Sequence, residues 1–295
     1  MGVNELTQAG WQVDPESGWL VENQTVGFQV RWRLQRLLHH ERSPYQDIVV
    51  AELERFGRAL FLDRILQVAE LDEFIYHEML VHVPLASLPR ARRVLIIGGG
   101  DGGTLREVTR WPEVEAIHMV EIDEAVVRVC RQWLPQVGGT AWSDPRLQIH
   151  YADGFAFLQE AEPGRYDAIL VDCSDPGTPA DTLYGETFYR LAYRALAEGG
   201  LLVQQALSPF IHREALTTIT GRLGTVFPNS GVYYCPSIAY LIGLQAFVWG
   251  ARGTDPGAGP VRGAPQGTRW YTPEVHRAAF VTPPALAALR PASAG

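Results

Sequence analysis

The chain has 295 residues, 46% hydrophobic and 20% charged, which suits one large domain or a large and a small one and excludes global disorder. Its net charge of −8 argues against a nucleic-acid partner. No apolar run reaches the roughly 18 residues of a membrane helix, and Met1 to Trp11 lacks the basic start and apolar stretch of a signal peptide.

Residues 1–88 read as a β-strand domain with a closing helix. Val26, Phe28, Val30, Trp32 and Leu34 alternate with polar residues, the pattern of a half-buried strand. Further strands are expected at Asp47–Glu54 and Arg58–Leu62, with a turn at Phe56-Gly57 between them. From Asp72 to Val83, Phe74, Ile75, Met79 and Leu80 fall at helical spacing, and Pro84 is expected to stop the helix. Residues 89–252 alternate strand-like and helix-like segments. The strand-like runs are Val94–Ile97, Ala116–Ile122, Leu147–Tyr151, Ala168–Asp172 and Leu201–Gln205. The helix-like ones lie near Leu105–Arg110, Glu124–Leu134, Phe155–Glu160, Thr187–Leu196 and Arg213–Leu223. Near-continuous apolar strands separated by helices predict an α/β fold with a parallel sheet buried on both faces, its ligands beyond the carboxyl ends of the strands. Residues 253–295 begin with a Gly/Pro-rich loop, Gly253 to Gly267, which reads as mobile. Trp270, Tyr271 and Phe280 are expected to dock the segment that follows.

All 25 basic residues are Arg, so Schiff-base chemistry on Lys and a P-loop Lys are excluded. Cys130, Cys173 and Cys235 make no C-x-x-C pair, which fits a reducing cytoplasm rather than disulfides or a zinc ribbon. The strongest local signal is Val94-Leu-Ile-Ile-Gly98-Gly99-Gly100-Asp101-Gly102-Gly103, a buried strand running through glycines into a helix. Such glycines let the backbone approach a nucleotide closely. Glu121 ends the next strand, where an acid can accept from two ribose hydroxyls. Asp101 would repel a pyrophosphate, which argues against NAD or FAD and for a ligand carrying positive charge there. Alternatively it only caps the helix.

More acids follow at the strand ends: Asp153-Gly154 after the third strand, Asp172 and Asp175 after the fourth. With Asp101 and Glu121 they crowd one crevice and cannot comfortably ionise together unless cations lie among them. Asp172 and Asp175 also suit a turn before Pro176. Tyr76 and His77 can orient an amine, or Tyr76 can be a core aromatic with a satisfied hydroxyl. His77 and His82 are off the i, i+4 spacing of a zinc helix, and no metal is expected. Acids around Cys173 would raise its pKa, so it reads as a packing residue rather than a nucleophile.

Taken in order, these blocks resemble the polyamine aminopropyltransferases, the family that includes spermidine synthase. They are Tyr45-Gln46-Asp47-Ile48, Leu62-Asp63 with Gln67, Asp72-Glu73-Phe74 with Tyr76-His77-Glu78, and Gly98–Gly103 with Arg106-Glu107. Glu121-Ile122-Asp123, Asp153-Gly154 and Asp172-Cys173-Ser174-Asp175-Pro176 complete the set. The resemblance implies a small N-terminal β domain followed by a Rossmann-like, class I methyltransferase-type domain, assembled as a homodimer or homotetramer. It implies aminopropyl transfer from decarboxylated S-adenosylmethionine, a co-substrate, to a diamine such as putrescine, giving spermidine and 5'-methylthioadenosine. No metal or prosthetic group is implied. By position, Gln46, Gln67 and Glu121 would bind the nucleoside, Asp153 and Gly154 the adenine, and Pro179 would line that pocket. Asp101 would hold the aminopropyl ammonium. Asp172 would accept the proton, with Tyr76, His77, Cys173, Ser174 and Asp175 around the acceptor amine. Gln205 and Tyr240 match further pocket positions.

The sequence departs from the family where Ile-Pro-Thr-Tyr-Pro-Ser-Gly is usual and Ile238-Ala239-Tyr240-Leu241-Ile242-Gly243 stands instead. It departs again after Gln205, where Ala206, Leu207 and Ser208 replace a Gly and an acid or Ser. Both changes are expected to make the acceptor end more apolar and leave agmatine, cadaverine or spermidine open as acceptors. Two rivals remain at this level: a methyltransferase using intact S-adenosylmethionine, and a non-catalytic nucleoside-binding protein.

Overall fold

The computed structural model describes residues 6–7, 10–14, 18–178, 180–240 and 243–289. An antiparallel sheet comes first, its strands in sequence order: β1 (Trp19–Thr25), β2 (Phe28–Arg42), β3 (Asp47–Leu53), β4 (Gly57–Leu62) and β5 (Ile65–Ala69). Val26 is not part of the expected strand. It sits fully exposed in the turn between β1 and β2, and the inward alternation begins with Val30 and Trp32. The sequence reading missed β1 and β5. The first carries the polar run Glu22-Asn23-Gln24-Thr25, and the second has only five residues.

Successive side chains of a strand point to opposite faces. In β3, Val49 and Ala51 join a cluster with Trp11, Trp32 and Phe61. Ile48 and Val50 face the other way and pack with Val126, Val129 and Cys130 of helix α3 (Glu124–Trp133). The small sheet is therefore buried on both faces at its centre and is seated against the larger unit.

Helix α1 (Glu73–Ser87) does not stop at Pro84. Met79 to Ser87 are all buried, so tertiary packing outweighs the local penalty of a proline. The Tyr233 hydroxyl donates to the Met79 carbonyl at 2.9 Å and ties this helix to a residue 154 positions later.

The large sheet has seven strands in the order β11-β12-β10-β9-β6-β7-β8. They are β6 (Arg93–Gly98), β7 (Ala116–Glu121), β8 (Leu147–Tyr151), β9 (Tyr166–Asp172), β10 (Leu196–Gln205), β11 (Asn229–Ser237) and β12 (Gly243–Ala251). The expectation of a parallel sheet is corrected at one edge. The strands β6 to β10 are parallel, but β12 pairs antiparallel with both β10 and β11. Val94 and Ile96 face a core shared with α1, whereas Leu95 and Ile97 face one shared with α5 (Glu186–Ala195) and α6 (Arg213–Val226).

The strand order reverses at β6, whose neighbours are β7 and β9. That switch point opens a crevice beyond the strand ends. The Gly253–Gly267 stretch is anchored rather than loose. The backbone amides of Val261 and Arg262 donate to the Ala86 carbonyl at the end of α1. The buried Glu78 carboxylate accepts from the amides of Arg269, Trp270 and Tyr271 at 2.7–2.8 Å. These contacts link chain segments nearly 200 residues apart and leave no composition signal.

Candidate active site

A cleft runs along the carboxyl ends of β6, β7, β8 and β9 and is roofed by the small sheet and α1. Its empty volume is about 1280 Å³ counting the open mouth. The cleft floor is the glycine turn between β6 and α2 (Gly103–Thr109). Gly98 has φ +82, and a Cβ there would lie 2.0 Å from the Asp172 carbonyl oxygen. Only glycine lets β6 and β9 close at this point. In the register of the sheet Gly98 stands opposite Asp172, which brings the two strand-end motifs together.

Asp101, Glu121, Asp153 and Asp172 all line this cleft, as do Gln46, Gln67, Tyr76, His77, Gly154, Cys173, Ser174 and Tyr240. Asp175 and Gln205 stand behind the wall and join it through Tyr240. Pro179 and Leu241 lie outside the described residues. Leu207 is not at the cleft. It is buried in the core with φ +67, and its carbonyl accepts from the Ala246 amide, so it adds no apolar surface to the site.

The Asp172 carboxylate is held at both oxygens. Tyr76 donates its hydroxyl to Oδ1 at 2.7 Å, and Thr104 donates to Oδ2 at 2.6 Å. Burial and the charge of Asp101 raise the Asp172 pKa. Its partner Asp175 has Oδ1 occupied by the Tyr240 hydroxyl at 2.7 Å and the Gln205 amide at 3.1 Å. Gln205 is itself oriented by Gln245, whose Nε2 donates to Gln205 Oε1 at 3.1 Å.

Asp101 accepts the Gly103 amide at 2.7 Å, an Asx-type turn that leads into the helix, while Gly102 is the capping residue itself. Asp101 also faces His77 Nε2 at 3.2 Å, while His77 Nδ1 meets Glu73 at 2.6 Å. Arg106 pairs with Glu73 through both terminal nitrogens at 2.9 Å. Burial disfavours a charged imidazole, but Asp101 and Glu73 outweigh it and hold His77 well above its ordinary pKa. Burial likewise opposes the Asp101 charge, and His77 overcomes it, leaving the Asp101 pKa low. His77, Asp101 and Asp172 offer ligand-type atoms within 4.8 Å of one another. An imidazolium with both nitrogens donating has no lone pair for a metal ion, so this donor set suits an organic cation better.

At the β7 end Glu121 accepts the Asp123 amide at 3.0 Å, and burial pushes its carboxyl up to about 7. Gln46 is fixed by donating to Asp123 Oδ2 at 2.9 Å, and Ser43 donates to the same oxygen at 2.6 Å. Asp153 caps α4 (Gly154–Glu160) by accepting the Ala156 amide at 2.9 Å. Among the described residues lining the cleft none is Arg, and His77 is the one basic side chain facing six acids. The field in the cleft is negative and favours cationic ligands. Cys173 Sγ lies 3.5 Å from the Tyr184 hydroxyl, and burial pushes the thiol up to about 12, which suits packing.

A family model for the spermine/spermidine synthase domain matches residues 73–255, and one for the spermidine synthase tetramerisation domain matches residues 18–70. The chain belongs to the spermine/spermidine synthase family. It is 42% identical over 267 residues to a polyamine aminopropyltransferase of Moorella thermoacetica, covering 90% of this chain and 94% of the relative. A polyamine aminopropyltransferase of Pseudomonas syringae pv. tomato is 40% identical, over 87% of this chain and 92% of the relative. Among solved structures, a spermidine synthase in complex with the transition-state analogue AdoDATO superposes with a TM-score of 0.87 at 33% identity, over 92% of this chain and 94% of that one. The Thermotoga maritima spermidine synthase gives 0.85 at 33% identity, over 90% and 91%.

Three polar residues were given no role by the sequence reading. Thr104 bonds Asp172, Asp123 holds Gln46, and Gln245 orients Gln205. Asp123 was within reach, being two residues past Glu121 at a helix cap. Thr104 and Gln245 stand 68 and 40 residues from their partners, and no local pattern marks them.

Proposed function

We propose that the chain transfers an aminopropyl group from decarboxylated S-adenosylmethionine to a linear diamine, putrescine first, and releases 5'-methylthioadenosine. One observation carries this reading: Asp101 and Asp172 line one end of a cleft with no Arg among its described lining residues, beyond a glycine turn with Glu121 at the next strand end, and Asp175 backs the same wall through Tyr240. A sulfonium nucleoside with an ammonium tail and a protonated amine are two cations, and an acidic cleft binds and positions both.

In this reading Gln46, Gln67 and Glu121 hold the nucleoside, with Asp153 and Gly154 at the adenine and Pro179 beside them. Asp101 takes the aminopropyl ammonium, and His77 keeps that carboxylate ionised. Tyr240 and Ser174 line the wall at the far end of the diamine, with Asp175 behind them as its counter-charge and Gln205 holding Asp175. Asp172 and Tyr76 hold its reacting end. The amine must lose a proton before it can attack. Its lone pair forms the new N–C bond, the C–S bond breaks with its electron pair going to sulfur, and the proton passes to Asp172 and on to water. The raised Asp172 pKa brings it closer to the task of a base near neutrality. No metal or prosthetic group is needed for this displacement.

A homodimer or homotetramer is supported by the match of residues 18–70 to a tetramerisation domain. A cytoplasmic setting is supported by three cysteines that are all free. No helix among the described residues is long and apolar enough to cross a membrane. Incubation with decarboxylated cofactor and a panel of putrescine, agmatine, cadaverine and spermidine, with methylthioadenosine as readout, tests the reaction and the acceptor together. Turnover highest with another amine overturns putrescine alone. No turnover with any amine overturns the transfer, and methyl transfer from intact S-adenosylmethionine would replace it.

A further inference from the structure

We propose that Thr104 is a positioning residue for Asp172, its hydroxyl fixing one carboxylate oxygen so that the acid stays in the form that accepts a proton. The proposal rests on the reading of Asp172 as the base. Thr104 lies in the first turn of α2 and has no exposed surface. It is absent from the cleft lining, so it cannot act on substrate directly. Its hydroxyl reaches Asp172 Oδ2 at 2.6 Å, while Tyr76 reaches Oδ1 at 2.7 Å from a different helix. One donor on each oxygen stops the carboxylate from rotating about its χ2 axis, a torsion that is otherwise broad. The free lone pairs are then aimed into the cleft, where the amine must deliver its proton.

The helix turn serves both acids at once. The Gly103 amide holds Asp101, and the neighbouring Thr104 hydroxyl holds Asp172. These two carboxylates repel each other; His77 offers a compensating charge to both, and Arg106 a smaller one to Asp101. The groups that interact with Asp172 are Asp101 from the glycine turn, Glu121 from β7, Tyr76 and His77 from α1, Thr104 from α2, Cys173 beside it, and Tyr240 from beyond β11. Burial and the neighbouring acids favour a protonated Asp172, which cannot act as base. His77, Thr104 and Tyr76 work the other way. Thr104 is the one of these three that does not line the cleft, so its removal leaves the substrate contacts in place.

The test uses the full-length protein with decarboxylated cofactor and putrescine, in single turnovers between pH 6 and 9.5. Thr104→Val keeps the shape and removes the donor. Thr104→Ser restores the donor, and Asp172→Asn is the reference. The expected result for Thr104→Val is a rate loss of roughly tenfold to a hundredfold at pH 7, the scale of a hydrogen bond to a charged group. The acid limb of its profile should move to higher pH, so that the deficit shrinks toward pH 9, with KM for putrescine within about threefold. Thr104→Ser should recover both rate and limb. Should the valine variant fail to fold, Thr104→Ala supplies the same readout. A loss equal at every pH, an unmoved limb, or a serine variant that does not recover overturns the positioning role. If those occur while Asp172→Asn is inactive, the base survives and Thr104 alone is dismissed. If Asp172→Asn turns over like the parent, both fall.

Discussion

At the end of the cleft proposed for the nucleoside, Glu121 and Asp153 are held by backbone amides two and three residues further along the chain. At the end proposed for the acceptor amine, Asp172 and Asp175 are held by side chains 30 to 96 residues away, on α1, α2, β10 and the segment after β11. Glu121 and Asp153 sit in independent turns, each complete when its own loop forms, although Gln46 beside them is held by Asp123 from 77 residues away. Asp172 and Asp175 belong to a network that exists only when both sheets and α1 have come together. Changes at the nucleoside end should therefore act singly, and changes at the acceptor end should propagate through shared partners.

The largest effect is expected at the centre of that network. Asp172→Asn should fold, still bind methylthioadenosine, and lose roughly 10²–10⁴-fold in turnover, the scale of a lost general base. Turnover within threefold of the parent would separate the network from the chemistry. Asp101→Asn probes the position where the two ends meet. In intact S-adenosylmethionine the carbon bearing the ammonium also carries a carboxylate. Two like charges about 4 Å apart at an effective dielectric near 20 repel by roughly 4 kcal/mol, close to a thousandfold. His77 stands 3.2 Å from Asp101 and offsets part of that repulsion. The preference for the decarboxylated cofactor should therefore narrow by about a hundredfold in the Asn variant. Titration calorimetry with both ligands on both proteins measures it, and an unchanged ratio leaves Asp101 with its turn alone.

Tyr240→Phe should have a smaller effect confined to the acceptor. It removes one of two donors to Asp175 Oδ1 and keeps the ring against Tyr76, 6.5 Å away. KM for putrescine should rise about tenfold, the scale of one hydrogen bond to a charged group. Affinity for methylthioadenosine should stay within twofold. Equal losses in both would mean that the two ends are not separable.

The same contrast explains what the sequence could show. Strand ends followed by glycine or an acid are local signals, so Gly98–Gly103, Glu121, Asp153 and Asp172 were legible as one crevice before any coordinates. The parallel strands β6 to β10 were legible too, because buried strands read as apolar runs. The pairing of β11 with β12 was not, since Asn229–Ser237 mixes tyrosines with small polar residues. Nor was the passage of α1 through Pro84, which depends on burial by elements far along the chain. Thr104 directly follows the Gly98–Gly103 turn, yet nothing nearby showed that its hydroxyl meets Asp172. Leu207 was assigned to the acceptor end by its place after Gln205, but its positive φ turns the chain into the core. Contacts between distant segments carried the misses at Pro84 and Thr104.

The smallest predicted effect belongs to the nucleoside end and depends on pH. Burial raises the Glu121 carboxyl to about 7 in the protein without ligand, from an ordinary carboxylate value near 4.5. The protonated form then stabilises the empty fold below the unfolded pKa, and this stability is lost as pH rises from about 4.5 through 7. Binding runs in the opposite direction. Two ribose hydroxyls need an acceptor, and the carboxylate accepts better than the acid. Below its pKa the group must first shed a proton, which weakens binding by up to about tenfold per pH unit. Protonated Glu121 keeps some acceptor capacity, so the observed change should be severalfold. Affinity for methylthioadenosine should therefore tighten about fivefold between pH 6 and 8, while the melting temperature of the free protein declines over the same interval. Glu121→Gln, neutral at every pH, should flatten the affinity profile and bind about as the parent does at pH 6. Calorimetry at pH 6, 7 and 8 on both proteins decides it. A parent affinity that does not change with pH would take Glu121 off the ribose and make the nucleoside end less simple than its local hydrogen bonds suggest.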